Sequence, residues 1–510
     1  MTDFLVDSNV ILDVLTNEQR LQAYLSLIQE LLDCPSGEEN QILNQHLELL
    51  DGAFVQVCEQ KAEQLQSDGQ ENNAGFLRHL AQRVGAFLAQ QGTGGNQQEV
   101  LQQFWQQLLK AEMESGGNEV AVHQVMLQNM GLIVPNLGDT IVQSIPGLLA
   151  QFPDQAEGVA GLIQNTCNSI QQFPYGRYAE ALEIAIRGYG VVLELRADNP
   201  EKRAQTLNNL GVARRTQAEM GINPAANLDR AIAAYDEAAE ILRRLGLEKD
   251  LSQTLTNLGV ARRTQAEMGI NPAANLDRAI TAYDEAAEIL RRLKLEKDLS
   301  STLTNLGVAH QTQAQMGINP VANLEGAITA YHEAAAIRRA LGLDREISST
   351  LTNLAVAYLT QAEMGINPAA NLEQAISHYQ EALEILTPEA FPIDWAMTQN
   401  NLANAYNQRI HGERAANIEQ AMQCYHAALR ILNKESFPEE WARTYNNLGA
   451  AYSLQIRGDQ RTNIDTAINC YKTALEVYSR SSYPKDWARI QNNLGTLYLK
   501  QYLISQSNES

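Results

Sequence analysis

Thr254-Leu255-Thr256-Asn257-Leu258-Gly259 decides the fold, because its core triplet Asn-Leu-Gly/Ala keeps returning. It stands at Asn209-Leu210-Gly211, Asn257-Leu258-Gly259, Asn305-Leu306-Gly307 and Asn353-Leu354-Ala355, then at Asn401-Leu402-Ala403, Asn447-Leu448-Gly449 and Asn493-Leu494-Gly495. The leucines follow one another at 48, 48, 48, 48, 46 and 46 residues. A second signature, Ala-Ile/Met-x-x-Tyr, runs in step, ending at Tyr235, Tyr283, Tyr331, Tyr379, Tyr425 and Tyr471, with an early half-copy ending at Tyr189. Fixed-period self-similarity marks a repeat array, in which each unit buries its apolar face by stacking on its neighbours.

One period reads as two helices. Helix A runs from about Ala204 to Met220, with Leu207, Leu210 and Gly211 on one face at helical spacing. Gly221 suits the positive φ of a helix C-terminus, and Pro224 follows where a helix cannot continue. Asn227 is expected to cap helix B, whose stripe is Leu228, Ile232, Tyr235, Ala238, Ala239 and Leu242. Gly211 is expected to let the backbones approach at Ala231 or Ala238. In later copies the Gly-Ile-Asn-Pro connector shortens to turns at Gly412 and Gly458, and Phe391-Pro392, Phe437-Pro438 and Tyr483-Pro484 join the units. Units 204–251 and 252–299 differ only at Ala204/Ser252, Asn208/Thr256, Ala233/Thr281 and Gly246/Lys294. A binding surface gains from identical copies, whereas a catalytic residue rarely does.

The fold class expected is all-α, a right-handed α–α superhelical solenoid of helix pairs with 46–48-residue repeats. Residues 204–503 form the solenoid, six helix pairs plus a terminal A helix. Residues 151–203 read as a degenerate unit. Residues 1–150 read as an N-terminal helical region that caps the array or acts as a partner module, with helices over 43–65, 74–90 and 97–113. Residues 504–510 read as a frayed polar tail.

Composition removes several function classes. With 60 acidic against 38 basic residues the net charge is −22, so the basic face that releases counterions from phosphates is missing and no nucleic-acid partner is expected. No run approaches the ~18 apolar residues of a membrane span, and Met1-Thr2-Asp3 is acidic where a secretory signal is basic. A cytoplasmic protein is expected. The five cysteines are scattered, and Cys424 and Cys470, 46 residues apart, are equivalent repeat positions rather than a pair. The eight histidines stand singly, without ligand spacing. No phosphate-binding glycine loop or serine nucleophile elbow occurs. No enzymatic activity, metal or cofactor is expected.

Leu210-Gly211, with Tyr358, Tyr406, Tyr452 and Tyr498 four residues after the leucine in later copies, resembles helix A of the tetratricopeptide (TPR) family. Ala231…Tyr235…Ala238 resembles its helix B. The departure is length, since the usual repeat is about 34 residues. The stretch Trp395-Ala396-Met397-Thr398-Gln399-Asn400-Asn401-Leu402 looks like the tetratricopeptide arrays of cyanobacterial CHAT-domain proteins, and the Asn-Asn-Leu column resembles kinesin-light-chain-like repeats. The resemblance covers roughly residues 154–503 and implies partner binding. A further likeness, Phe4–Asp13 to the first strand and turn of a PIN-domain nuclease, lacks a second strand; the competing reading is a helix capped by Ser8.

In tetratricopeptide arrays the A helices line the concave surface. By that resemblance the partner-binding positions are Asn208, Asn209, Arg215, Asn257, Arg263, Asn305, Gln311, Asn353, Asn401, Asn404, Asn447 and Asn493. An Asn amide both donates and accepts, so one per repeat can clamp the backbone of an extended peptide; alternatively each bonds a neighbouring helix. Arg215 and Arg263 suit an acidic segment, or are balanced by Glu219 and Glu267 four residues on. The function expected is a non-enzymatic scaffold or adaptor for a protein or peptide, with a separately encoded peptidase or signalling protein among the partners. The alternative is a regulatory subunit or effector of a CHAT-peptidase or defence-signalling system, with a separate activity or oligomerisation role in residues 1–150. Self-association through the near-identical central units is a third reading.

Overall fold

The computed structural model describes residues 17–34, 42–43, 46, 49–67, 70–91, 97–152, 155–174 and 177–509. The nuclease-like stretch Phe4–Asp13 lies outside these residues. Among the described residues the secondary structure is helical, with no strand. The fold class is the all-α solenoid of helix pairs, and the chain divides into two compact units, Met1–Leu247 and Glu248–Ser510.

The first unit holds α1 (Asn17–Asp33), α2 (Gly52–Ser67), α3 (Glu71–Gln91), α4 (Gln97–Ser115), α5 (Glu119–Gln128), α6 (Asn136–Gln151), α7 (Ala156–Gln171), α8 (Tyr178–Leu195), α9 (Pro200–Glu219) and α10 (Pro224–Leu245). The helix expected over 43–65 begins instead at Gly52, because the Asp51 carboxylate accepts from Phe54 N–H at 2.8 Å and caps it. Helices α1–α3 enclose a small core around Leu27, Phe54 and Leu77. A separate core runs from Trp105 on α4 to Tyr189 on α8 and Ala213 on α9.

The second unit is a run of antiparallel pairs: α11 (Glu248–Glu267) with α12 (Pro272–Leu293), α13 (Glu296–Gln315) with α14 (Pro320–Ala340), α15 (Asp344–Glu363) with α16 (Pro368–Ile385), α17 (Pro392–Gln408) with α18 (Arg414–Leu429), and α19 (Pro438–Leu454) with α20 (Gln460–Ala474). A final helix, α21 (Pro484–Glu509), has no second helix after it among the described residues, and its helical hydrogen bonding continues through the polar tail. Each pair packs on the next, and the first helices α11, α13, α15, α17 and α19 also touch in succession.

Two local devices build the pair. The glycine of the triplet is a notch for the helix-B tyrosine: a Cβ on Gly259 or Gly307 would lie 2.5 Å from a ring carbon of Tyr283 or Tyr331. At these two glycines the ring, not the copies of Ala231 or Ala238, is what the missing side chain admits; at Gly449 the backbone carbonyl of Ala467, the copy of Ala231, would lie as near as the Tyr471 ring, at 3.2 Å. The second device corrects the expected cap. Helix B starts at the connector proline, whose absent N–H costs nothing there, and the preceding Asn271, Asn319 and Asn367 take left-handed φ near 40°. The asparagine three residues inside the helix brackets the connector instead. Asn275 Nδ2 donates to Ile270 O at 2.8 Å, Asn323 to Ile318 O at 2.7 Å and Asn371 to Ile366 O at 2.8 Å; in the first unit Asn227 does the same to Ile222 O at 2.7 Å. A carbonyl that the turn would leave orphaned is thus satisfied.

Candidate functional site

The first helices of the second unit carry a half-buried polar stripe, one turn-and-a-half per helix, between the core leucines and open solvent. Asn257, Asn305, Asn353, Asn401, Asn447 and Asn493 all lie on it at intermediate exposure. Cross-links between successive first helices hold it in register. The Thr256 and Thr302 hydroxyls meet at 3.0 Å, those of Thr352 and Thr398 at 3.5 Å, and Asn447 Nδ2 donates to Asn404 Oδ1 at 3.0 Å.

The column splits by position. Asn404 Oδ1 also accepts from the Tyr425 hydroxyl at 2.6 Å, so Asn404 and Asn447 serve the contact between pairs. In the first unit Asn209 does the same, donating to Asn168 Oδ1 at 3.0 Å while the Tyr189 hydroxyl donates to that oxygen at 2.8 Å; Asn208 sits beside it at intermediate exposure. Asn305, Asn353 and Asn401 are different: their amides have no hydrogen-bond partner among the described residues. Asn493 lies against the Tyr471 hydroxyl, which burial pushes up to about 12.

Six residues after each Asn is a slot that faces the helix-B tyrosine. Gln311 Oε1 accepts from the Tyr331 hydroxyl at 3.0 Å. In the next pair Leu359 fills the slot, and the buried Tyr379 hydroxyl has no hydrogen-bond partner; burial raises the pKa of both phenols above the ordinary value. Arg215 and Arg263 occupy the same slot. Arg215 Nη1 pairs with Glu219 at 3.1 Å, and Arg263 pairs with Glu267, each carboxylate four residues on. Both guanidiniums are thus paired with a carboxylate of their own helix at a partly exposed surface.

Sequence reading missed two surface features. Met268, Met316 and Met364 end the first helices with 43–44% of their surface exposed, a row whose signal was the repeated Met-Gly before each connector. The residue after the helix-B tyrosine reaches the next first helix: His332 Nε2 lies 2.8 Å from the Tyr358 hydroxyl, Gln380 Nε2 donates to Tyr406 at 2.8 Å, and His426 Nε2 lies 3.2 Å from the Tyr452 hydroxyl. His378 stacks on Tyr358 with ring centroids 5.8 Å apart. Among the described residues no group of three or more His, Cys, Asp or Glu side chains is placed to hold a metal ion, and no helix is long and apolar enough to cross a membrane. All five cysteines are free.

Fold and site define a tandem-repeat protein of tetratricopeptide-like helix pairs with polar first helices. No protein-family model matches the chain, and no curated protein matches it. Solved structures do. The chain is similar to BtubC from P. vanneervenii, at 20% identity over 51% of this chain and 92% of that one, with a TM-score of 0.37. It is similar to a tetratricopeptide repeat protein from Parabacteroides merdae, at 14% identity over 66% and 98%, TM-score 0.38. It is also similar to a signal transduction ATPase with a tetratricopeptide repeat sensor from Pyrococcus horikoshii, at 15% identity over 96% and 73%, TM-score 0.41.

Proposed function

We propose that the chain is a non-enzymatic protein-interaction scaffold, and that the first helices of Glu248–Ser510 form the concave wall that receives an extended segment of a partner protein. One observation carries this reading: Asn305, Asn353 and Asn401 present unpartnered amides at one position in three successive pairs. Asn is a poor residue in a helix interior, so three unpartnered copies in register need a compensating role. An amide that both donates and accepts matches the N–H and C=O of an extended chain, independent of that chain's side chains. Asn404, Asn447 and Asn209 belong to the contacts between pairs and Asn493 to the last packing layer. Arg263 and Gln311 line the same stripe, as does Asn257, and Asn208 and Arg215 continue the pattern in the first unit.

The test is capture of partners from the source cells by the full chain, identified by mass spectrometry and repeated with Asn305→Ala, Asn353→Ala and Asn401→Ala combined. The expected outcome is at least a tenfold loss of the captured partner with unchanged helical content. Undiminished capture by the folded triple variant would remove these amides from recognition.

A further inference from the structure

Every first helix of the second unit except α21 is covered by the second helix of its own pair, and the side that meets this cover can be followed residue by residue. Ser252, Ser300, Ser348, Ala396 and Ala442 are no more than 2% exposed, while the equivalent Ala488 is exposed. Asn400 and Asn446 are buried; Asn492 is exposed. Gly259, Gly307 and Gly449 are closed by a tyrosine ring, but nothing lies within 4 Å of a Cβ at Gly495. Leu359 is 9% exposed and its counterpart Leu499 is 59% exposed; Ala266, Ala314 and Ala362 are buried where Tyr502 is 59% exposed. The opposite side of α21 is satisfied, with Ile490, Leu494 and Leu497 in the core formed with α20.

The uncovered column is Ala488, Asn492, Gly495, Leu499, Tyr502 and Gln506, in steps of four, three, four, three and four. That is the spacing of a coiled-coil seam. It also reads the same from either end, so the column is complementary to itself when reversed.

We propose that α21 pairs antiparallel with α21 of a second copy of this chain, about a two-fold axis that crosses the seam midway between Gly495 and Leu499. In this register Gly495 lies beneath the partner's Leu499, Asn492 faces the partner's Tyr502, and Ala488 faces the partner's Gln506. Each layer then sets a small or flexible residue against a larger one, as the glycine notch and tyrosine ring do at Gly259, Gly307 and Gly449. A two-fold contact requires such self-complementarity. The seam carries no charged residue, so a chain of net charge −22 meets itself where no like charges are desolvated. Two crossing helices of this length bury on the order of 500 Å² per partner, short of the ~800 Å² of a standard interface, the size class of weak, reversible contacts.

Sedimentation equilibrium of the full chain from about 1 to 200 μM tests the pairing. A reversible dimer is expected, weakened at least tenfold by Leu499→Glu and by Tyr502→Glu, with helical content by circular dichroism unchanged because both side chains are already in solvent. A chain that stays monomeric throughout, or a dimer indifferent to Leu499→Glu, would overturn the proposal. So would a monomeric chain that instead binds a synthetic 460–478 peptide at this face, since the occupant would then be a foreign second helix.

Discussion

The central pairs α11–α16 and the later pairs α17–α20 stack by the same means but are punctuated differently. In the central pairs each connector is a Gly-Ile-Asn-Pro turn with glycine φ of 76–77° and a left-handed asparagine before the proline. In the later pairs Gly412 and Gly458 at φ 84° are followed directly by a short turn, and Asp459 caps α20 by accepting from Thr462 N–H at 2.7 Å. The bracket asparagine survives both designs: Asn417 Nδ2 donates to His411 O at 2.8 Å and Asn463 Nδ2 to Arg457 O at 2.9 Å. What both turn designs share is therefore a satisfied turn carbonyl and a small residue, glycine or alanine, beside the buried tyrosine ring. The length of the turn is free, because loop closure changes little over two residues.

Breaking the bracket should give the largest effect, and unequally. Asn275 is buried, so Asn275→Ala leaves the Ile270 carbonyl unpaired and should cost about 1–2 kcal/mol in urea unfolding. Asn463→Ala, where water reaches the turn, should cost less than about 1 kcal/mol. Equal losses would show that the two turn designs lean on the asparagine alike.

The tyrosine slot sharpens the comparison next. Tyr331→Phe removes a hydrogen bond to Gln311 and should destabilise by about 1 kcal/mol, whereas Tyr379→Phe discards a hydroxyl that has no partner and should be neutral or stabilising. Equal destabilisation in the same denaturation series would mean that a water satisfies Tyr379.

The smallest effect is on pH dependence. Burial lowers the pKa of His332 and His378 below the ordinary 6.5, helped by Arg339 and, for His378, by His332; the nearby Glu381 opposes this. The folded state thus favours the neutral rings. Their contribution is complete above about pH 6.5 and is lost as the pH falls through the lowered folded values, because the unfolded chain binds the protons first. Melting temperature should fall between pH 7.5 and 5.5, and His332→Gln with His378→Gln should flatten that fall; an unchanged slope would assign it elsewhere.

Much of this was legible in the chain. The period, the two helices per unit, the glycine that ends helix A and the tyrosine that marks helix B are all strings of local preference repeated in register. The polar column was legible as a column, yet not in its division. Asn447 and Asn305 hold the same position on equivalent helices, and only the neighbouring helix says that the first donates to Asn404 while the second holds nothing. The placement of Asn227 failed for a related reason: as a residue type it suits a cap, but Pro224 already begins the helix, which frees the amide to turn back on Ile222.

The sequence by itself determined that the chain is a stack of helix pairs, since period, helix propensity and turn chemistry act within a few residues of one another. Tertiary structure alone decided which amides are used up in packing and that a tyrosine ring fills the glycine notch. Those outcomes depend on side chains about 20 to 46 residues apart meeting within hydrogen-bond or contact distance, and no local preference encodes that distance.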